Sequence, residues 1–137
     1  MPTKKILKKK HAQKLPLILV AEDDVYYARV CSLKFAKEGY DVQTAGNGEQ
    51  ALTLMRARKP DLVLLDLIMP VKDGFTTLEE MKADPDLRSI PVIVVTNLGQ
   101  ESDRKKALDL GAKEYVVKSN VSIYELVDIV KKYLPPS

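Results

Sequence analysis

The sequence predicts an α/β fold: a parallel sheet covered by helices on both faces, in a three-layer α/β/α sandwich. Three observations lead there. From Leu15 onward, short apolar runs alternate with stretches of helical period, the pattern of strand–helix–strand units. No two apolar runs are joined directly by a hairpin turn. Finally, the run IPVIVVTN is continuously β-branched rather than alternating, as suits a strand covered on both faces. Right-handed crossovers then place helices above and below the sheet.

Each element has its own signals. LPLILVA is the first strand, bounded by Pro16 and by Glu22-Asp23-Asp24. VYYARVCSLKFAKEG is a helix with Val25, Ala28, Cys31 and Phe35 on one face and Gly39 closing it. YDVQTA alternates as a second strand. NGEQALTLMRARKP follows as a helix, with Asn47 as N-cap and Gln50 in the partner position of a capping box. LVLLD is the third strand, and GFTTLEEMKAD is a helix capped by Asp73. IPVIVVTN is the fourth strand, and SDRKKALDLGA is a helix closed by Gly111. EYVVK is a short fifth strand. SIYELVDIVKKYL is the last helix, opened by the Ser122/Glu125 box and stopped by Pro135-Pro136. The result is five strands alternating with five helices, (βα)5.

Composition bounds the function class. At 137 residues the chain is one domain's worth, 45% hydrophobic and 30% charged, and no apolar stretch is long enough for a membrane span. A single cysteine, Cys31, cannot form an internal disulfide, which fits a reducing, cytoplasmic setting. The net charge of +3 is unevenly spread. Residues 1–14 hold six of the 22 basic side chains and no acid, so the remaining chain is net acidic. We expect residues 1–14, which include His11, to be a solvated flexible tail without the aromatics that stack on bases. Residues 15–137 form the folded domain.

The acids set the chemistry. In parallel α/β sheets, ligands sit beyond the carboxyl ends of the strands, where strand order reverses. At that edge the first strand delivers Glu22, Asp23 and Asp24, the third Asp66, the fourth Thr96-Asn97 and the fifth Lys118. Any one polar strand end is ordinary. Together they are not, because carboxylates about 4 Å apart repel by roughly 4 kcal/mol at an effective dielectric near 20. A hard divalent cation offsets that repulsion, and an oxygen-only donor set with retained waters is what Mg²⁺ prefers. Lys118 adds the other positive charge. An ionised, oriented carboxylate such as Asp66 is also able to act as a nucleophile.

The set Glu22-Asp23, Asp66 with Met69-Pro70 and Asp73-Gly74 behind it, Thr96 and Lys118 resembles the receiver domain of two-component response regulators. The spacing agrees: 43 residues from Asp23 to Asp66, 30 from Asp66 to Thr96 and 22 from Thr96 to Lys118. The resemblance covers Leu17 to about Leu134 and implies a flavodoxin-like sheet of order 2-1-3-4-5. It further implies that Asp66 accepts a phosphoryl group from a histidine kinase or histidine phosphotransfer protein. Mg²⁺ would be held by Asp23, Asp66 and the backbone carbonyl of Ile68, with Glu22 reaching it directly or through water, and Asp24 would be left to cap the first helix. Lys118 and Thr96 would bind phosphoryl oxygens. Thr96 and Tyr115 would form a switch that alters the surface of the fourth helix, fifth strand and fifth helix, read by a downstream protein. The chain would be a monomer or a phosphorylation-dependent dimer, not an enzyme, and would carry no DNA-binding domain of its own. The alternative is the receiver of a longer regulator with a DNA-binding or enzymatic output domain.

Several positions depart from the family pattern. Ser119 stands where the family usually has a proline in a cis peptide, so either a trans bond with a shifted loop or a strained bond is expected. Asn97 is larger than the family's usual small residue after the threonine. Ile68 and Leu98 are apolar where polar side chains would orient an attacking water, which predicts a long-lived phosphorylated form. An aspartyl-phosphate hydrolase of the haloacid dehalogenase kind needs a second acid at the position of Ile68, which cannot transfer a proton. A flavin-binding module needs a phosphate cradle where Glu22-Asp23-Asp24 would repel one.

Overall fold

The computed structural model describes residues 15–135. The basic segment 1–14 and the last two residues lie outside the described residues. Five parallel strands, β1 (Leu17–Ala21), β2 (Asp41–Ala45), β3 (Leu62–Leu65), β4 (Val92–Thr96) and β5 (Glu114–Val117), form one sheet of order β2-β1-β3-β4-β5. The helices are α1 (Val25–Lys37), α2 (Gly48–Ala57), α3 (Gly74–Ala83), α4 (Glu101–Asp109) and α5 (Ile123–Lys131). The predicted three-layer sandwich and its strand order are both present.

Strand alternation splits the core in two. Leu19, Val63, Leu65, Val92 and Val94 face one side, where Ala51, Leu52 and Met55 of α2, Leu78 and Met81 of α3, and Ala107 of α4 cover them. Ile18, Val20, Leu62, Leu64, Ile93 and Val95 face the other, against Cys31 and Phe35 of α1 and Leu126, Val127 and Val130 of α5. The central strands are buried on both faces, which explains their continuous apolar runs.

Local signals worked as physics requires, with some corrections. Asp24 caps α1 by accepting from the Tyr26 and Tyr27 N–H groups at 3.0 and 3.2 Å, and Asp73 caps α3 through Thr76. Gly39 and Gly111 adopt positive φ after α1 and α4. The Ser122/Glu125 box forms in both directions. The Asn47 box forms by half. Asn47 accepts from Gln50 N–H at 2.8 Å, but the Gln50 side chain accepts from Gly46 N–H instead. Val25, expected on the inner face of α1, is exposed, because α1 starts there and the buried stripe begins at Ala28. The last helix ends at Lys131, three residues short of the periodic pattern.

Candidate functional site

The site lies at the switch point where β1 has β2 on one side and β3 on the other. Backbone hydrogen bonds extend the sheet one residue beyond each strand: Glu22 N–H donates to Ala45 O at 2.8 Å and Asp66 N–H to Ala21 O at 3.0 Å. Both acids therefore start from fixed main chain. Glu22 continues the period of Ile18 and Val20, and Asp66 that of Leu62 and Leu64, so both side chains fall on the α1/α5 side. Glu22 is 5% and Asp66 6% exposed, low values for carboxylates.

Their burial is compensated by partners. Asp66 Oδ2 accepts from Lys118 Nζ at 2.9 Å, and Oδ1 accepts from Ile68 N–H at 3.2 Å. Glu22 Oε1 pairs with the same Lys118 ammonium, and Oε2 accepts from Asp24 N–H at 3.0 Å. Lys118 thus bridges two acids rather than Asp66 alone. Asp23 is exposed, and it completes a cluster of three carboxylates, Glu22, Asp23 and Asp66, whose oxygens lie within 4.8 Å of one another. One ammonium cannot neutralise three carboxylates. The donor set is all oxygen, negative and partly open to water, which is the chemistry that Mg²⁺ requires.

The imbalance shows in Glu22. Burial pushes its carboxyl up to about 7, against the opposing effect of the Lys118 hydrogen bond. The folded protein then binds a proton at Glu22 more tightly than the unfolded chain does between pH 4.5 and about 7. Stability from this group is present at the acid end of that window and is lost as pH rises through it. In chelator, the parent should lose on the order of 2 kcal/mol more than Glu22→Gln between pH 5 and pH 7.5, measured by denaturant unfolding. Parallel pH profiles for the two proteins would contradict this account.

Thr96, the last residue of β4, is fully buried, and its Oγ1 accepts from Leu98 N–H at 3.4 Å. Asn97 beside it is exposed. Tyr115 on β5 packs against the α2/α3/α4 side of the core and donates its hydroxyl to Leu98 O at 2.6 Å. The tyrosine is therefore already seated on the loop that follows Thr96. Lys118 opens a 3₁₀ turn, Lys118–Asn120. None of the described peptide bonds is cis, so the bond before Ser119 is trans.

Two features escaped the sequence. The ring of Tyr27 faces Lys118, its centroid 4.7 Å from Nζ. Its spacing of four residues from buried Cys31 was the available signal, since such pairs share a helix face. Tyr26, next to it, is exposed. The second feature is the turn after Asp66. Val71 has φ 67° and Lys72 N–H donates back to Pro70 O at 2.7 Å, a costly arrangement for a β-branched residue. Lys72 anchors the turn by pairing with Glu49 at 2.9 Å and Glu80 at 2.5 Å.

The family model of the response regulator receiver domain matches residues 18–131. The probable transcriptional regulator ycf27 of Cyanophora paradoxa is 42% identical over 101 residues, which is 74% of this chain and 41% of that protein. The chain thus spans about two fifths of the length of that curated relative. Among solved structures, the phosphorylated cyanobacterial phytochrome response regulator RcpA shares 34% identity at a TM-score of 0.75, covering 86% of this chain and 90% of that one. The Mn(2+)-bound form of response regulator Rcp1 shares 29% identity at a TM-score of 0.75, covering 86% and 93%. Sheet order, acidic rim and family match thus cover the same stretch of sequence, and the chain belongs to the receiver domain family of two-component response regulators.

Proposed function

We propose that Asp66 is the phosphoacceptor of this receiver, and the observation that carries the reading is the Asp66 carboxylate aimed by Lys118 within a three-carboxylate cluster. In the transfer, an Asp66 oxygen bonds to phosphorus as the P–N bond of a donor phosphohistidine breaks. The bonding pair leaves with the imidazole, which takes a proton from water. Mg²⁺, when bound, supplies charge neutralisation to the phosphoryl oxygens, and Glu22, Asp23, Asp66 and the Ile68 carbonyl would hold it. The Mn(2+)-bound relative supports that choice of ligand class. Lys118 shifts from Asp66 to a phosphoryl oxygen, and the Thr96 hydroxyl donates to another. The donor is a histidine kinase or histidine phosphotransfer protein, and the setting is cytoplasmic. Among the described residues no helix is long and apolar enough to cross a membrane.

The output is a population shift between two states of the β4–α4 loop, to which Thr96 and Tyr115 are both tied through Leu98. The altered α4–β5–α5 surface then binds a downstream protein or a second phosphorylated copy. The receiver itself turns over no substrate: Ile68 stands where a hydrolase would need an acid. With Leu98 it leaves an attacking water without a polar guide, so the phosphorylated form is long-lived. The share of relatives covered, 41% and 22%, favours a second reading in which this receiver belongs to a longer regulator with a DNA-binding or enzymatic output domain.

The test is incubation with Mg²⁺ and a small acyl phosphate, followed by intact mass and peptide mapping. One phosphoryl increment, dependent on Mg²⁺ and located at Asp66, is expected. Labelling at another residue, or none, would overturn the reading.

A further inference from the structure

Lys118 is held on three sides. Asp66 and Glu22 take two, and the face of Tyr27, 4.7 Å from Nζ to the ring centroid, takes the third. We propose that Tyr27 is a positioning residue for Lys118: its ring, seated on α1, keeps the ammonium against Asp66 without bringing another negative charge into the pocket. The proposal deepens the phosphoacceptor reading and rests on it.

The lysine stem is flexible, with an ammonium that can rotate its three donors, and Lys118 opens a short 3₁₀ turn rather than sitting within a strand. Its aim must come from its surroundings. The ring lies within the roughly 6 Å at which a cation is attracted to an aromatic face. A fourth carboxylate at that place would bind the ammonium more tightly, but it would also repel an incoming phosphoryl group. A neutral ring attracts the cation and repels the phosphoryl little. It also screens from water the side of the ion pairs that faces α1.

The tyrosine is itself well fixed. It is half-buried at the first turn of α1, its N–H is held by the Asp24 cap, and buried Cys31 stands one turn on along the same helix face. Tyr27, Cys31, Glu22 and Asp66 all line the same small void of about 10 Å³ beneath the site. The ring therefore contacts the two acids' surroundings and the lysine from one rigid element.

The experiment compares the full chain with Tyr27→Leu and Tyr27→Phe. Lysines are reductively methylated with ¹³C, and the Lys118 signal is assigned by its loss in Lys118→Arg. In the parent that signal should show an upfield ring-current shift, kept in Tyr27→Phe and lost in Tyr27→Leu. Labelling by a small acyl phosphate with Mg²⁺ should slow ~5- to 10-fold in Tyr27→Leu, the size of one partly buried cation–π contact, and recover in Tyr27→Phe. The proposal is overturned by an unshifted Lys118 signal in the parent or by parent-like labelling in Tyr27→Leu. It is also overturned if Tyr27→Phe is as slow as Tyr27→Leu, since the hydroxyl would then be the agent. Should Tyr27→Leu unfold, Tyr27→Met takes its place in the comparison. A parent that is never labelled would sink the phosphoacceptor reading alone, and the ring-current shift would still decide whether Tyr27 holds Lys118.

Discussion

Asp66→Asn is expected to stay folded and to take no phosphoryl group from a donor that labels the parent. The amide has the shape of the carboxylate, so its oxygen can still accept from Ile68 N–H, the partner that now holds Oδ1 at 3.2 Å. What it lacks is charge. A neutral amide is a poor nucleophile toward phosphorus, and Lys118 keeps Glu22 as its remaining anionic partner among the described residues. The fold should not suffer, because one of three crowded carboxylates has gone and the remaining repulsion is smaller. Unfolding in chelator should show stability equal to or above the parent's, while intact mass shows no increment. Labelling that persists in Asp66→Asn would move the acceptor elsewhere. Loss of both labelling and fold would make Asp66 a structural acid.

Gly74→Ala should be among the most damaging single methyls in the molecule. A Cβ at Gly74 would land on the carbonyl oxygen of Asp66 and 2.7 Å from Leu67 Cα, both main-chain atoms that cannot rotate away. Gly74 N–H also donates to Leu67 O at 3.0 Å, which locks the start of α3 against the end of β3. The added methyl must therefore push α3 off the strand that aims Asp66. Overpacking of this kind costs about 2–3 kcal/mol, and the displaced Asp66 should also label slowly. Gly99→Ala is the control, since nothing lies within 4 Å of its would-be Cβ. Thermal unfolding that left Gly74→Ala as stable as Gly99→Ala would refute the close approach.

Much of this was legible in the sequence because it depends on local rules. The two-faced burial of β3 and β4 follows from unbroken apolar runs, and the caps at Asp24, Asp73 and Ser122 follow from side-chain oxygens two or three residues ahead of free N–H groups. The acids at the rim were found because strand ends converge on one edge whatever the loops do. Long-range partners were harder to see. Nothing in the local pattern says that Lys118 divides itself between Glu22 and Asp66, or that the ring of Tyr27 meets Lys118. Those outcomes depend on the packing angle of α1 against the sheet. Gln50 is the same lesson on a small scale: its spacing from Asn47 suits a box, but Gly46 N–H lies within its reach and takes the bond.

Titration calorimetry with Mg²⁺ reaches the central claim most directly, since the cluster of Glu22, Asp23 and Asp66 is proposed to hold a dication. The parent should take up one Mg²⁺ saturably near neutral pH, with uptake sharply weakened in Asp23→Asn and in Asp66→Asn. No uptake by the parent, or the same isotherm in all three proteins, would mean that these acids serve no metal and that the account of Asp66 is wrong.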